Sequence, residues 1–234
     1  MKELVKDACK KIGVELTDLQ AIHLEVYYKI LIDWNEKINL TRITDPEEVA
    51  VKHFADSLTL LKYYDIPKNA KVIDVGTGAG FPGIPLKIVR PDINLTLLDS
   101  LNKRLVFLNE VCCIIGMFAD IVHLRAEDGG RNLLYREKFD VAVSRAVARL
   151  NTLSEYCLPY VKVGGSFISM KGPDISEELS EATYAVKVLG GKIKTVSEFE
   201  LDGAGERTIV QIEKIKPTPI FYPRLSSKIK SKAL

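Results

Sequence analysis

The sequence lacks the features that mark several classes of protein. Its four cysteines show no C-x-x-C spacing, which argues against a zinc site or a disulfide framework and favours a reducing compartment. The first residues contain no apolar stretch typical of a signal peptide, and the run from Val111 to Ala119 is too short to span a bilayer. The net charge of +2 is too small to indicate a nucleic-acid partner by itself. We therefore expect a cytoplasmic protein that uses no metal and no membrane.

The spacing of apolar residues divides the chain into three parts. Residues 1–65 show helical spacing, with a capping box at Thr17–Gln20 and a second helix start at Asp45-Pro46. In residues 66–216 strand patterns alternate with helix patterns, which predicts an α/β fold with a mostly parallel sheet, and the last two strand patterns form a predicted hairpin. Residues 217–234 form a basic tail. The apolar face of the second helix is predicted to contain Leu19, Ile22, Val26, Ile30 and Trp34.

The segment from Val72 to Gly83 predicts a buried strand, a glycine turn and the start of a helix. Its second half matches the G-x-G-x-x-G pattern of dinucleotide folds, but that match is shifted away from the strand. Directly after the strand the pattern is Asp74-x-Gly76-x-Gly78-x-Gly80. Asp99 ends the next predicted strand, where a doubly wound sheet holds a ribose. These residues predict a cofactor that contains a nucleoside; a tight turn without a ligand is the alternative.

The acidic-G-x-G-x-G pattern resembles the first motif of the Rossmann-like, class I S-adenosylmethionine methyltransferases. The longer string DVGTGAGFPGIP, from Asp74 to Pro85, resembles one bacterial family, the glucose-inhibited division protein B family of small-subunit ribosomal RNA guanine-N7 methyltransferases. Further segments that resemble this family are Trp34-Asn35, the H-x-x-D-S segment at His53–Ser57, Leu97–Ser100, Lys103-Arg104, Ser144–Ala146 and Lys171-Gly172. The resemblance covers essentially the whole chain.

The resemblance implies a fold, a cofactor and a substrate. The fold would be a seven-stranded, mostly parallel sheet with an antiparallel last strand, in which residues 66–216 bind the cofactor and residues 1–65 form a helical extension packed on this core. The cofactor would be S-adenosylmethionine. The substrate would be 16S ribosomal RNA or the small ribosomal subunit, and the product 7-methylguanosine. We expect the enzyme to be a monomer.

The resemblance also implies roles for single residues. The turn from Gly76 to Phe81 would contact the methionine part of the cofactor, whose ammonium would lie near Asp74. Asp99 would accept hydrogen bonds from the ribose, and Ala126-Glu127 would border the adenine. The predicted cofactor residues are Asp74, Gly76, Gly78, Gly80, Phe81, Asp99, Ala126, Glu127 and Arg145. No catalytic residue is certain; the candidates for positioning the substrate are Arg145, Lys171 and His53.

Several of these residues have a structural alternative. Phe81 could pack under the helix, Glu127 could cap a helix, and Arg145 could form a structural ion pair. For His53 a structural role is favoured over a catalytic one.

Positive charge predicts where RNA would bind. The segment 223–232 holds four basic residues and no acidic one, which suits contacts with phosphate groups. The RNA-binding candidates are Arg42, Lys52, Arg149, Arg224, Lys228, Lys230 and Lys232. A solvated, frayed terminus is the alternative for the tail. We expect deletion of residues 224–234 to weaken RNA binding and to leave cofactor binding unchanged.

Two missing motifs narrow the choice of methyl acceptor. A cytosine-C5 methyltransferase needs a nucleophilic cysteine, but Ser144–Val147 follows the fourth predicted strand. The N/D-P-P-Y/F element of exocyclic-amine methyltransferases is also absent there. Guanine N7 has a free lone pair and no proton, so its methylation needs orientation rather than a general base. A methyltransferase of a small molecule or a protein, and a non-catalytic cofactor-binding regulator, remain alternatives.

Overall fold

Strands and helices alternate from residue 71 to residue 201, and the last two strands follow one another directly, as the sequence predicts. The computed structural model describes residues 1–234. The strands are β1 (Lys71–Val75), β2 (Asn94–Asp99), β3 (Asp120–His123), β4 (Phe139–Arg145), β5 (Val161–Lys171), β6 (Gly191–Leu201) and β7 (Gly205–Lys214). The helices are α1 (Lys2–Lys11), α2 (Asp18–Ile38), α3 (Pro46–Val49), α4 (Asp56–Leu58), α5 (Leu60–Tyr63), α6 (Gly83–Val89), α7 (Asn102–Ile115), α8 (Ala126–Arg131), α9 (Leu150–Cys157), α10 (Ser176–Val188) and α11 (Ser226–Ser231). A π-helical turn (Ala50–Ala55) joins α3 to α4, and a 3-10 turn (Leu158–Tyr160) follows α9.

The strands form one seven-stranded sheet in the order β3-β2-β1-β4-β5-β7-β6. Strands β1 to β5 pair in parallel, and β7 runs antiparallel between β5 and β6. The predicted fold class is therefore confirmed. The chain order reverses at β1, which lies between β2 and β4. In open α/β sheets such a reversal opens a crevice beyond the carboxyl ends of the strands.

Both faces of the sheet are covered. Alternate residues of a strand point to opposite faces, and here Val72 and Ile73 enter two different apolar clusters. The first cluster joins the sheet to α1, α2, α6 and α7, and the second joins it to α9 and α10. Burial on both faces explains why the parallel strands read as continuous apolar runs.

The local signals for helix starts are confirmed. Thr17 and Gln20 form the predicted capping box, with Gln20 Oε1 2.9 Å from the Thr17 amide. Asp45 caps α3 by accepting hydrogen bonds from the amides of Glu47 and Glu48, each at 3.0 Å. The carboxylates of Asp45, Glu47 and Glu48 also interact favourably with the positive end of the helix dipole of α3.

The predicted apolar face of α2 was wrong in part. Leu19 and Ile22 are 61% and 43% exposed, whereas Leu24 and Tyr27 are fully buried. The helix packs against α1, α6 and α7, so its buried face is set by three neighbours. The Tyr27 hydroxyl is satisfied inside the core by donating to the Ala79 carbonyl. A pattern that counts only apolar residues misses such a tyrosine.

Residues 217–234 pack on the core, and helix α11 was not predicted. Arg136 donates hydrogen bonds to the carbonyls of Thr218 and Tyr222, at 2.7 and 2.8 Å, and Arg131 donates to that of Pro223 at 2.8 Å. The frayed terminus considered from the sequence is therefore wrong for this segment. None of the helices is long and apolar enough to cross a membrane.

Candidate functional site

A cleft of about 490 Å³, here called the first cleft, opens beyond the carboxyl ends of β1, β2 and β4. The turn after β1, Asp99 at the end of β2, the start of α8 and Arg145 at the end of β4 all contribute to its lining. Seven of the predicted cofactor residues line it, namely Gly76, Gly78, Phe81, Asp99, Ala126, Glu127 and Arg145. The sheet topology thus brings together residues that are 69 positions apart in sequence, since Gly76 and Arg145 lie on the same wall.

Two glycines of the turn are required by their surroundings. Gly76 has φ +71°, and a Cβ there would lie 2.8 Å from a Val147 methyl carbon. Gly80 has φ +94°, and a Cβ there would lie 2.6 Å from the Tyr27 hydroxyl. Residues that carry a Cβ rarely adopt such backbone angles. A Cβ at Gly80 would point into the packed core, and the predicted contact of Gly80 with the cofactor stays a prediction.

Asp74 holds the turn closed from behind. Its side chain is 0% exposed, and Oδ2 accepts hydrogen bonds from Thr77 Oγ1 at 2.8 Å and from the Gly83 amide at 2.9 Å. Burial raises the pKa of this carboxyl to about 6, against the pull of these hydrogen bonds. Asp74 lies outside the lining of the first cleft and supports the turn, and its predicted place near the cofactor's ammonium stays a prediction. Its Oδ1 is buried without a partner.

Asp99 joins the turn to the end of β2. The carboxylate is 3% exposed; Oδ2 accepts from the Gly78 amide at 2.9 Å, and Oδ1 accepts from the Leu101 amide at 2.9 Å. Arg104 lies 3.3 Å from Oδ2. Each carboxylate oxygen can accept more than one hydrogen bond, so Asp99 can order the turn and still accept from a ligand hydroxyl in the cleft.

Glu127 is a buried acceptor on the wall of the first cleft. It is 4% exposed, and its Oε1 has no hydrogen-bond partner in the protein. The neighbouring Ala126 carbonyl is held by the Tyr160 hydroxyl at 2.6 Å. A buried acceptor without a partner is costly, which suits a position where a ligand supplies the donor. The helix-cap alternative finds no support here, because α8 has no side-chain cap.

The opposite end of the cleft carries stacked rings below an arginine. Phe81 stacks on His53 with ring centres 4.6 Å apart and on Tyr27 at 5.4 Å. The Arg145 guanidinium carbon lies 5.1 Å from the centre of the Phe81 ring. His53 Nε2 is 2.8 Å from Thr41 Oγ1, and burial, aided by the Arg145 charge, lowers the pKa of His53 to about 4. His53 is therefore neutral near pH 7 and fixed by its hydrogen bonds.

Arg145 is held by a carboxylate that it shares with a second arginine. Arg145 Nη1 donates to Asp56 Oδ2 at 2.6 Å, and Arg207 Nε donates to Asp56 Oδ1 at 2.9 Å. Arg145 also donates to the Lys52 carbonyl at 3.2 Å. The ion pair considered as the alternative for Arg145 is therefore present. Arg145 also lines the first cleft, where it can contact a ligand. Sequence reasoning missed Arg207, since only the insertion of β7 next to β5 brings it to the site.

A second cleft, of about 310 Å³, adjoins the first. The two clefts share three lining residues, His53, Arg145 and Ala146. The second cleft is also lined by basic residues on three elements, namely Lys52, Lys171 and Arg207. The ammonium of Lys171 is held 2.6 Å from the Ala148 carbonyl and 2.7 Å from Glu178. Lys171 is therefore a fixed part of the wall.

The predicted RNA-binding residues fall into different environments. Arg149 pairs with Glu177 and Glu181, Lys52 pairs with Glu48, and Arg224 pairs with the buried Glu155. Arg42, Lys228 and Lys232 are exposed and form no ion pair in the described chain. Lys230 lines the first cleft. The guanidinium of Arg224 pairs with Glu155, and its predicted contact with RNA stays a prediction.

Some lining residues of the first cleft were not predicted at all. They are contributed by α7, the β3–α8 connection, α9 and α11, and include Arg104, Arg125, Tyr156 and Ser226. Lys103-Arg104 was noted in the sequence only as part of a family resemblance. Tyr156 and Ser226 carry no local signal, because their position depends on packing between distant segments.

Comparisons with known proteins show what the whole chain is similar to. A family model described as rRNA small subunit methyltransferase G (GidB) matches residues 20–210. The chain is similar to the "Ribosomal RNA small subunit methyltransferase G" of Desulforamulus reducens, at 54% identity over 94% of this chain and 92% of that protein. It is likewise similar to the protein of the same description from Alkaliphilus oremlandii, at 51% identity over 97% of this chain and 96% of that protein.

Solved structures show the same fold at low sequence identity. An SAM-dependent O-methyltransferase from Thermotoga maritima has a TM-score of 0.53 and 13% identity, and covers 81% of this chain and 73% of its own. M. jannaschii TYW2, solved in complex with AdoMet, has a TM-score of 0.51 and 13% identity, and covers 68% of this chain and 77% of its own. With the family model matching most of its length, the chain belongs to the family of rRNA small subunit methyltransferase G.

Proposed function

We propose that this protein transfers the methyl group of S-adenosylmethionine to N7 of a guanine in 16S ribosomal RNA of the small subunit. The observation that carries the proposal is the pair of clefts that meet at Arg145. One offers buried carboxylates to a nucleoside, and the other is lined with basic side chains. A methyl donor in the first cleft and an RNA base in the second would meet at their shared wall.

The residues of the first cleft fit the cofactor. Asp99 and Glu127 supply acceptors for the hydroxyl and amine donors of adenosine. The packed ring of Phe81 and the neutral His53 give an uncharged surface near the glycine turn. When bound, S-adenosylmethionine supplies a methyl group activated by the positive sulfur.

The chain needs to position the acceptor rather than move a proton. Guanine N7 carries a lone pair and no hydrogen, so attack on the methyl group releases no proton from that atom. His53 is neutral near pH 7, but it is held by Thr41 and stacked on Phe81, which suits a rigid wall. Rate enhancement by holding two reactants in line requires fixed residues. The anchoring of Arg145 by Asp56 supplies such a fixed point.

The second cleft supports an RNA substrate over a small molecule or a protein. Lys52, Arg145, Lys171 and Arg207 line it, and the carboxylates that pair with them, Glu48, Asp56 and Glu178, are one fewer. Phosphate contacts by such residues make RNA binding salt-dependent. We propose that the reaction takes place in the cytoplasm, where ribosomal subunits are found, and that the enzyme acts as a monomer.

The test uses radiolabelled S-adenosylmethionine with small ribosomal subunits from a strain that lacks this enzyme. After digestion of the RNA to nucleosides, label in 7-methylguanosine supports the proposal. Subunits from the parent strain, whose site is already methylated, are the matched control and should take up little label. Label in another nucleoside would contradict the N7 assignment, and label outside the RNA would favour a small-molecule or protein substrate. Cofactor binding without any transfer would favour a non-catalytic regulator.

A further inference from the structure

The last residues of the chain form a strap that crosses the core and reaches the first cleft. We call residues 217–225 the C-terminal strap. Its start is fixed by the buried Lys214, whose ammonium donates to Thr218 Oγ1 at 2.6 Å. Its middle is held by the arginines at positions 131 and 136, which donate to strap carbonyls. The path of the strap is therefore set by hydrogen bonds to its backbone along most of its length.

The end of the strap is anchored by a buried ion pair. Glu155 on α9 has a side chain that is 0% exposed. Arg224 donates three close hydrogen bonds to this carboxylate, from its backbone amide at 2.7 Å, from Nε at 2.9 Å and from Nη2 at 2.7 Å. The residue after Glu155 is Tyr156, which lines the first cleft. The anchor thus places the start of α11 beside the cleft.

Helix α11 presents one face to the first cleft. Ser226 and Lys230 line the cleft together with Tyr156 and Glu127. They are four residues apart, the spacing that puts two side chains on the same face of a helix. Ile229 is 2% exposed and fixes the helix on the core, whereas Lys228 is exposed away from the cleft lining.

We propose that α11 forms a wall of the cofactor site, and that Ser226 and Lys230 donate hydrogen bonds to the adenosine part of the cofactor. This inference rests on the cofactor assigned under the proposed function. Adenine carries ring nitrogens that accept hydrogen bonds and an exocyclic amine that donates them. The unpartnered Glu127 oxygen offers an acceptor on α8, and the hydroxyl and ammonium on α11 offer the donors.

The inference revises an expectation drawn from the sequence. The basic tail was expected to serve RNA alone, so that its deletion would leave cofactor binding unchanged. Lys228, Lys230 and Lys232 are all exposed, but of these three only Lys230 lines the first cleft. Loss of α11 is therefore expected to weaken cofactor binding as well.

The test compares two double variants of the full-length protein by isothermal titration with S-adenosylhomocysteine. In Ser226→Ala/Lys230→Ala the dissociation constant should rise about 5–10-fold or more, as expected for the loss of net hydrogen bonds. The matched control, Ser227→Ala/Lys228→Ala, removes the same two residue types from exposed positions of the same helix and should bind within about twofold of the parent protein. Thermal unfolding of both variants checks that the fold is intact.

The outcomes separate this inference from the proposed function. Failure of the parent protein to bind S-adenosylhomocysteine would refute the cofactor assignment itself. Parent-like affinity of Ser226→Ala/Lys230→Ala would overturn the role of α11 and leave the cofactor assignment intact. Parent-like cofactor affinity combined with weaker RNA binding would assign Lys230 to RNA phosphates, which would also overturn the inference.

Discussion

Replacing Arg224 by alanine tests whether burial determines how much an ion pair contributes to the free energy of unfolding. Glu155 has a fully buried carboxylate, and the two guanidinium hydrogen bonds of Arg224 neutralise it. Arg224→Ala keeps the backbone amide of position 224 but leaves the carboxylate without its countercharge. Removing one partner of a buried pair costs about 3–5 kcal/mol. Because one hydrogen bond survives, we expect a loss of about 3 kcal/mol in the free energy of unfolding, measured by urea denaturation at pH 7.

The matched control is Arg149→Ala. Arg149 also pairs with acidic residues, Glu177 and Glu181, but its side chain is 50% exposed and theirs are 80% and 42% exposed. Surface pairs of this kind contribute about 0–1 kcal/mol. Equal losses in the two variants, or a loss below about 1 kcal/mol for Arg224→Ala, would refute the reasoning. The double variant Glu155→Leu/Arg224→Met should recover most of the stability, since apolar replacement of a buried ion pair is often neutral.

Three further predictions concern the glycine turn and its carboxylates. Asp99→Ala should weaken S-adenosylhomocysteine binding by about 1–3 kcal/mol, or roughly 5–150-fold, because an acceptor for the ligand and for the turn is lost; unchanged affinity in a titration would remove Asp99 from the site. Gly80→Ala should destabilise the protein by about 1–3 kcal/mol more than Gly116→Ala, since both glycines have positive φ but only at Gly80 would a Cβ lie under 3.0 Å from three side-chain atoms. Chemical denaturation of the two variants measures the difference, and equal losses would count against the packing argument. The pKa of Asp74 is raised from 3.8 to about 6, so the stability this group contributes in its protonated form is present below about pH 4 and is lost as the pH rises through about 6. The stability of the parent protein relative to Asp74→Asn should therefore fall by about 2–2.5 kcal/mol between pH 4 and 7, and a difference that does not change with pH would show that the carboxyl ionises as it does in water.

The sequence predicted best those parts of the candidate site that depend on residues close together in the chain. The turn after β1 needs glycines at fixed positions behind a buried strand, and Asp99 must end the next strand. Both requirements act over short stretches, so the residue pattern predicts them directly. The parallel register of β1 and β2 then places the two segments side by side, with Asp74 opposite Leu97.

The sequence-based prediction was wrong where the outcome depends on tertiary packing. The apolar face of α2 was predicted wrongly in part because contacts with three helices, α1, α6 and α7, determine which of its residues are buried. Within the motif, Gly80 packs closely against core side chains and Asp74 accepts hydrogen bonds that support the turn, while Gly76 and Gly78 line the cleft. A motif identifies the residues that build a turn without saying which of them face the ligand.

The sequence by itself determined the α/β fold, the cofactor motif and the family to which the chain belongs, because each depends on residue type at short, regular spacing. Only the tertiary structure decided which charged side chains form ion pairs with each other. Arg207 reaches Asp56 across 151 positions, and Arg224 reaches Glu155 across 69. An arginine that neutralises a buried carboxylate and one that is free to bind RNA look identical in a sequence, since the difference lies in which distant acid the fold brings within hydrogen-bond distance.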